Sequence, residues 1–326
     1  MVTIRQRIYY IIPLLIFLTI PIESRSLNSG FKVVGYYSLH AAMNDFSRFP
    51  FKRLTHVNLW FLNPDTLGNF TQDLSTLERF VTKAHKKNIS VLFSIGGGGD
   101  HPYYHRLLQD EKRAVFIQNL LLQVLRYNLD GIDVDLEGSD IDENYEIFVV
   151  ELARVLKQQQ KLITSAIAVY YKDQLSDKAL AQYDFVNIMC YDRTGPWRPE
   201  SPGQHSSYEN AVEDLSYFGI ERKVPPEKMV LGVPFYGYGF GPENTSPVKS
   251  MNYNQIVSKF PGSKYADQWN MDGGMIMYYN GIPTIIKKTV LARERASGIM
   301  IWQLQGDARG SKSLLKAIHK TASAGK

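Results

Sequence analysis

The 326-residue chain has a single cysteine, Cys190. One thiol excludes a disulfide framework within the chain, so the fold must rest on a buried apolar core. Cys190 lies in the apolar run FVNIMCYD and reads as a buried core thiol. Internal repeats and low-complexity tracts are missing, which excludes a solenoid or repeat array. Charge of one sign is in small excess: the net charge is +5, and Arg5, Arg7 and Arg25 against Glu23 put +2 of it into residues 1–26. The other +3 (5 − 2) forms no basic stripe, so nucleic acid is not an expected partner. No apolar run reaches the roughly 20 residues that a membrane-spanning helix needs.

The longest apolar run covers residues 8–22, 15 residues interrupted by Pro13 and Pro21 and preceded by Arg5 and Arg7. Residues 1–26 therefore read as a secretory signal with an undefined cleavage point. The protein is expected to be exported, secreted or periplasmic, with no stable membrane insertion after cleavage. It would be membrane-anchored if the segment were retained.

From residue 32 onward, apolar strand-like runs alternate with amphipathic helical runs. KVVGYY (32–37), THVNLWF (55–61), ISVLFSIGG (89–97), DGIDVDL (130–136), LITSAIAV (162–169), FVNIMCYD (185–192), MVLGVPFYG (229–237) and GIMIWQL (298–304) read as strands. Between them, Phe116, Ile117, Leu120, Leu121, Val124 and Leu125 recur at helical spacing. Eight β/α units predict an α/β fold, a single (β/α)8 barrel over residues 27–326. In such barrels chemistry sits at the C-terminal strand ends, where Ser94, Glu137, Tyr191, Asp192 and Trp302 fall.

The fourth run carries a conflict. LDGIDVDLEGSD (129–140) holds five carboxylates in twelve residues, yet its middle reads as a buried strand. Alternate strand residues share a face, so Asp133, Asp135 and Glu137 form an inward ladder over ~13 Å. Like charges this close cannot all ionise cheaply, so at least one should stay protonated. A protonated carboxyl at a cleft is what glycosidic cleavage needs, and Glu137, outermost and longest, is the natural donor. A metal is the rival use, but a ladder rising along one strand spreads its oxygens instead of converging them. No metal or cofactor is expected.

DGIDVDLE resembles the D-x-x-D-x-D-x-E signature of glycoside hydrolase family 18, the chitinases and their relatives. GYYS, SIGG, MCYD, GVPFYG and the strand-eight Trp302 match that family in barrel order, over about residues 31–318. The resemblance implies substrate-assisted retention. Glu137 would protonate the leaving oxygen while the substrate's own 2-acetamido group attacks the anomeric carbon. Asp135 would hold the acetamido N–H, Asp133 would share a proton with Asp135, and Tyr191 would orient the acetamido carbonyl. Trp302 would floor the sugar, Tyr36 and Ser94 would bond Asp133, and Asp192 would support the distorted ring. Met189 joins the substrate-contacting set, and Trp197 is the expected second sugar platform. Trp60 is expected in core or outer packing, and Trp269 remains open.

The implied partner is an oligo- or polysaccharide containing N-acetylglucosamine, with the protein itself a monomer. Three functions fit: a chitinase, an endo-β-N-acetylglucosaminidase acting on N-glycan chitobiose cores, and a catalytically inactive lectin of the same fold. Two departures from the family pattern stand out. Gln303 follows Trp302 where many members have Glu, and no clear α+β insertion domain follows strand seven. Residues 234–284 read instead as a long loop or short hairpin. That predicts a low cleft wall and endo-acting, weakly processive cleavage.

Overall fold

The computed structural model describes residues 30–242 and 247–324. The expected secretory signal at 1–26 lies outside the described residues. The strands, in chain order, are β1 (Lys32–Ser38), β2 (His56–Trp60), β3 (Ser90–Gly96), β4 (Gly131–Asp135), β5 (Leu162–Ile167), β6 (Phe185–Ile188), β7 (Met229–Pro234), β8 (Tyr236–Phe240), β9 (Lys249–Asn252), β10 (Gln268–Asn270), β11 (Ile276–Tyr278) and β12 (Gly298–Trp302). The helices are α1 (Leu39–Asn44), α2 (Glu78–His85), α3 (Tyr103–Leu107), α4 (Asp110–Arg126), α5 (Tyr145–Gln158), α6 (Asp177–Gln182), α7 (Tyr208–Ser216), α8 (Tyr253–Lys259), α9 (Ile282–Arg295) and α10 (Leu314–Ser323).

Strands β1 to β7 and β12 close a parallel barrel in the order β1-β12-β7-β6-β5-β4-β3-β2. Helices cover it, as the buried face of α4 illustrates: Phe116, Ile117, Leu120 and Val124 all point inward at helical spacing. Strands buried on both faces need near-continuous apolar runs, and that is why the eight runs were legible. None of the described helices is long and apolar enough to cross a membrane.

The segment between β7 and α9 differs from the expected loop or hairpin. It folds as a four-stranded antiparallel sheet, β10-β11-β8-β9, with α8 beside it. Tyr236, Tyr238 and Phe240 on β8 pack into one buried cluster with barrel residues Tyr36, Tyr191 and Met300, so the small sheet grows from the barrel mouth. The low wall predicted from a loop is replaced by a folded one, and the case for endo attack loses its basis.

Candidate active site

Asp133 and its neighbours are set by parallel register. Ser94 on β3 and Thr164 on β5 lie directly opposite Asp133, so all three point into the barrel at one level. Asp133 is fully buried. Its Oδ2 accepts from the Tyr36 hydroxyl at 2.5 Å and the Ser94 hydroxyl at 2.8 Å. Its Oδ1 accepts from the Thr164 hydroxyl at 2.6 Å and from Asn187 Nδ2 at 3.3 Å. Burial raises the Asp133 pKa, while the bonds from Thr164, Tyr36, Ser94 and Asn187 pull it back down.

Asp133 is thus satisfied by four neutral donors, whereas Asp135 Oδ1 is buried without a protein donor. Burial, then the charges of Glu137 and Asp133, push the Asp135 carboxyl well above the usual range. The four donors also use the four lone-pair sites a carboxylate offers, which leaves Asp133 unfit as a cation ligand.

Glu137 follows β4 at the mouth and begins the turn Gly138–Asp140. Its Oε2 accepts from the Tyr171 hydroxyl, a residue the sequence reading missed. Burial raises the Glu137 pKa; the Tyr171 bond lowers it, Asp192 and Asp140 raise it, and His101 lowers it. The loop after β3 can pass this close because Gly96 and Gly97 take positive φ of 89° and 98°, and a Cβ on either would stand 2.3 Å from Asp135 O or from the Phe61 ring.

Tyr191 is buried, with its hydroxyl 3.9 Å from Met300 Sδ, so it is not spent on another oxygen. Asp192 sits in left-handed backbone at φ 64°. Its Oδ1 accepts from Tyr236 at 2.5 Å and from Tyr238 at 3.2 Å, and its N–H donates to Nδ1 of the fully buried His205 at 3.4 Å. Tyr236, Tyr238 and His205 were not anticipated, although the period-2 tyrosines of FYGY carried the signal.

Trp302 lies in an aromatic floor with Tyr36, Trp60 and Phe61, at ring distances of 5.3, 5.6 and 5.8 Å. Trp60 therefore belongs to the barrel mouth and not to outer packing, because it is the last residue of β2 and the C-terminal strand ends form the mouth. The side-chain oxygen of Gln303 is buried without a protein partner. Trp197 is 55% exposed and edge-on to Tyr238 at 5.8 Å. Trp269 stacks on Phe260 inside the small sheet region and takes no part in the mouth.

A cleft of about 370 Å³ is lined by Gly98, Gly99, Glu137, Tyr171, Met189, Tyr191, Asp192 and Trp197. Hollows of about 760 and 880 Å³ occur elsewhere, but neither touches the carboxylate ladder, Tyr191 or Trp302. Chemistry, and not size, selects the smaller cleft. It unites the Glu137 carboxyl, whose pKa burial raises, a second carboxyl on Asp192, the Tyr191 hydroxyl and flat aromatic faces.

Comparison with known proteins gives a consistent result. The sequence model of glycosyl hydrolases family 18 matches residues 32–307. A class V chitinase of Medicago truncatula is 26% identical over 356 residues, covering 90% of this chain and 92% of that protein. A probable chitinase of Drosophila melanogaster is 25% identical over 230 residues, covering 61% of this chain, which spans only 10% of that protein's length. A crystal structure of a family 18 chitinase from the chitin utilization locus of Flavobacterium johnsoniae superposes with a TM-score of 0.79 at 38% identity, covering 90% of this chain and 94% of that one.

Proposed function

The chain belongs to glycosyl hydrolases family 18, and from that premise we propose that it is an active, retaining hydrolase of β-1,4-linked N-acetylglucosamine chains. The observation that carries this is Glu137, a cleft carboxyl with raised pKa, held by Tyr171 above the buried ladder. Its protonated form gives its proton to the glycosidic oxygen as that bond breaks. The acetamido carbonyl oxygen closes on the anomeric carbon and forms an oxazolinium ion. Asp135, directly below, takes the acetamido N–H and offsets the positive charge. The deprotonated Glu137 then removes a proton from water as it opens the ring, and the anomeric configuration is restored.

The lectin alternative lacks a reason for a tuned acid, which binding alone does not need. The protein works outside the cytoplasm on this reading, where polymeric substrate is found. Glu137→Gln keeps the size but cannot donate, so hydrolysis should fall by ~10² or more with oligosaccharide binding kept. Products from chitin oligomers and from a high-mannose glycoprotein, measured side by side, test the substrate. Cleavage confined to the glycoprotein would select the endo-β-N-acetylglucosaminidase alternative, and near-normal turnover by Glu137→Gln would overturn the role of Glu137.

A further inference from the structure

The turn that starts at Glu137 carries a second buried carboxylate that the proposed reaction does not use. Asp140 is only 3% exposed, and its N–H donates to Glu137 O at 3.0 Å. A buried carboxylate is costly unless paired. Its partner comes from the neighbouring loop: His101 Nδ1 lies 3.0 Å from Asp140 Oδ2. The His101 ring is itself steadied edge-on against Tyr103 and Tyr104, each at 5.9 Å. The same loop reaches the acid directly, since a Cβ on Gly98 would stand 3.9 Å from Glu137 Oε1. At its other end the loop is fixed by Gly97 N–H donating to Asp135 O at 2.8 Å. A second pair, His105 Nδ1 on α3 and Asp142 Oδ2 at 2.5 Å, ties the helix that follows this loop to the segment that follows the Glu137 turn.

We propose that His101 is a positioning residue for Glu137, acting through Asp140. The pair pins the turn on which the acid sits and balances the negative charge that Asp140 places beside it. This rests on the role of Glu137 proposed above. The groups facing the acid are Asp135 on its own strand, Tyr171 after β5, Asp192 after β6, and the Asp140–His101 pair. Asp140 also faces Asp100 on the His101 loop. The charge on Asp140 opposes ionisation of Glu137 and the charge on His101 favours it, so removing the two partners should have opposite effects.

The test compares His101→Gln and Asp140→Asn with wild type in pH–rate profiles on soluble chito-oligomers. The alkaline limb reports loss of the proton from Glu137. It should move to higher pH in His101→Gln, where Asp140 is left uncompensated, and to lower pH in Asp140→Asn. At the optimum, kcat should fall roughly tenfold in both with KM little changed, as for a loosened acid. His101→Lys, which keeps a positive charge, should return the limb toward wild type, a rescue that a packing role would not produce. Should a variant turn over too slowly, the carboxyl carbon NMR titration of Glu137 in the full chain reads the same two opposite shifts. Unmoved limbs, or shifts of one sign in both variants, overturn the proposal. If Glu137→Gln is inactive while these two keep the wild-type profile, only the pairing role fails. If Glu137→Gln stays active, the reading of the acid fails first.

Discussion

Tyr171 donates its hydroxyl to Oε2 of Glu137, so the last carboxyl of the β4 ladder is held by a side chain from the turn after β5. This bond favours the charged form and opposes burial, which favours the neutral one. The acid's balance is thus shared between two neighbouring β/α units.

Tyr171→Phe removes that opposition. The Glu137 pKa should rise, and the alkaline limb of kcat/KM should move to higher pH. Maximal turnover should drop by ~10-fold or more, because the carboxyl is no longer aimed. Paired pH–rate profiles of wild type and variant check both outcomes, and a profile that does not shift denies the bond a tuning role.

The cage around Asp133 should be expensive to breach. Tyr36→Phe and Ser94→Ala each remove a hydrogen bond to a fully buried carboxylate, and each should cost about 1.5–3 kcal/mol. Both donors serve Oδ2, so the double variant should lose less than the sum. Denaturant titration of the two singles and the double measures this. Losses within a few tenths of a kcal/mol would show that water replaces the donors freely.

Trp197 offers a flat face at the cleft while more than half exposed. Trp197→Ala should leave the unfolding midpoint nearly unchanged. It should raise KM for chito-oligomers by about tenfold with kcat largely kept, the pattern of lost uniform binding. Steady-state kinetics on tetramers and hexamers decides, and an unchanged KM removes Trp197 from the binding surface.

The barrel floor should set part of the acid sensitivity. His56 opens β2, packs edge-on against Phe185 at 5.1 Å, and is lowered by burial from 6.5 to about 4. The unfolded chain takes up this proton near 6.5 and the folded chain resists it. Stability from this site is therefore full above 6.5 and is lost as pH falls toward 4. Asp307, raised by burial to about 6, acts in the opposite sense over an overlapping range. His56→Gln should flatten the loss of melting temperature between pH 6.5 and 4, measured against wild type. An equal slope in both would assign acid sensitivity elsewhere.

The barrel and the ladder were legible for definite reasons. Doubly buried strands demand apolar runs, and inward carboxylates at period 2 stand out against them. Ser94 and Tyr36 were found because they lie in motifs next to strand ends. What escaped the sequence depends on non-local packing. Tyr171 and His205 sit outside the strand runs and arrive through loop geometry. The strands of the small sheet are short, three residues in β10 and β11, and their pairing joins β8 to β11 across the whole segment. Nothing local distinguishes such pieces from loop. The solution to the charge on β4 was half visible: the repulsion could be read, but the four neutral donors around Asp133 come from four different strands.

The small sheet leaves the barrel after Pro234 and rejoins it at Ile282, so both its stems are anchored in one β/α unit. Its first strand is committed, because Tyr236 and Tyr238 hold Asp192. The β10–β11 hairpin holds none of the ladder's partners and forms one margin of the sheet. Among the described residues, the side chains bonded to Asp133, Glu137 and Asp192 all lie outside 268–278, so this margin of the sheet can change in length and sequence without removing a partner of the acid or of its ladder.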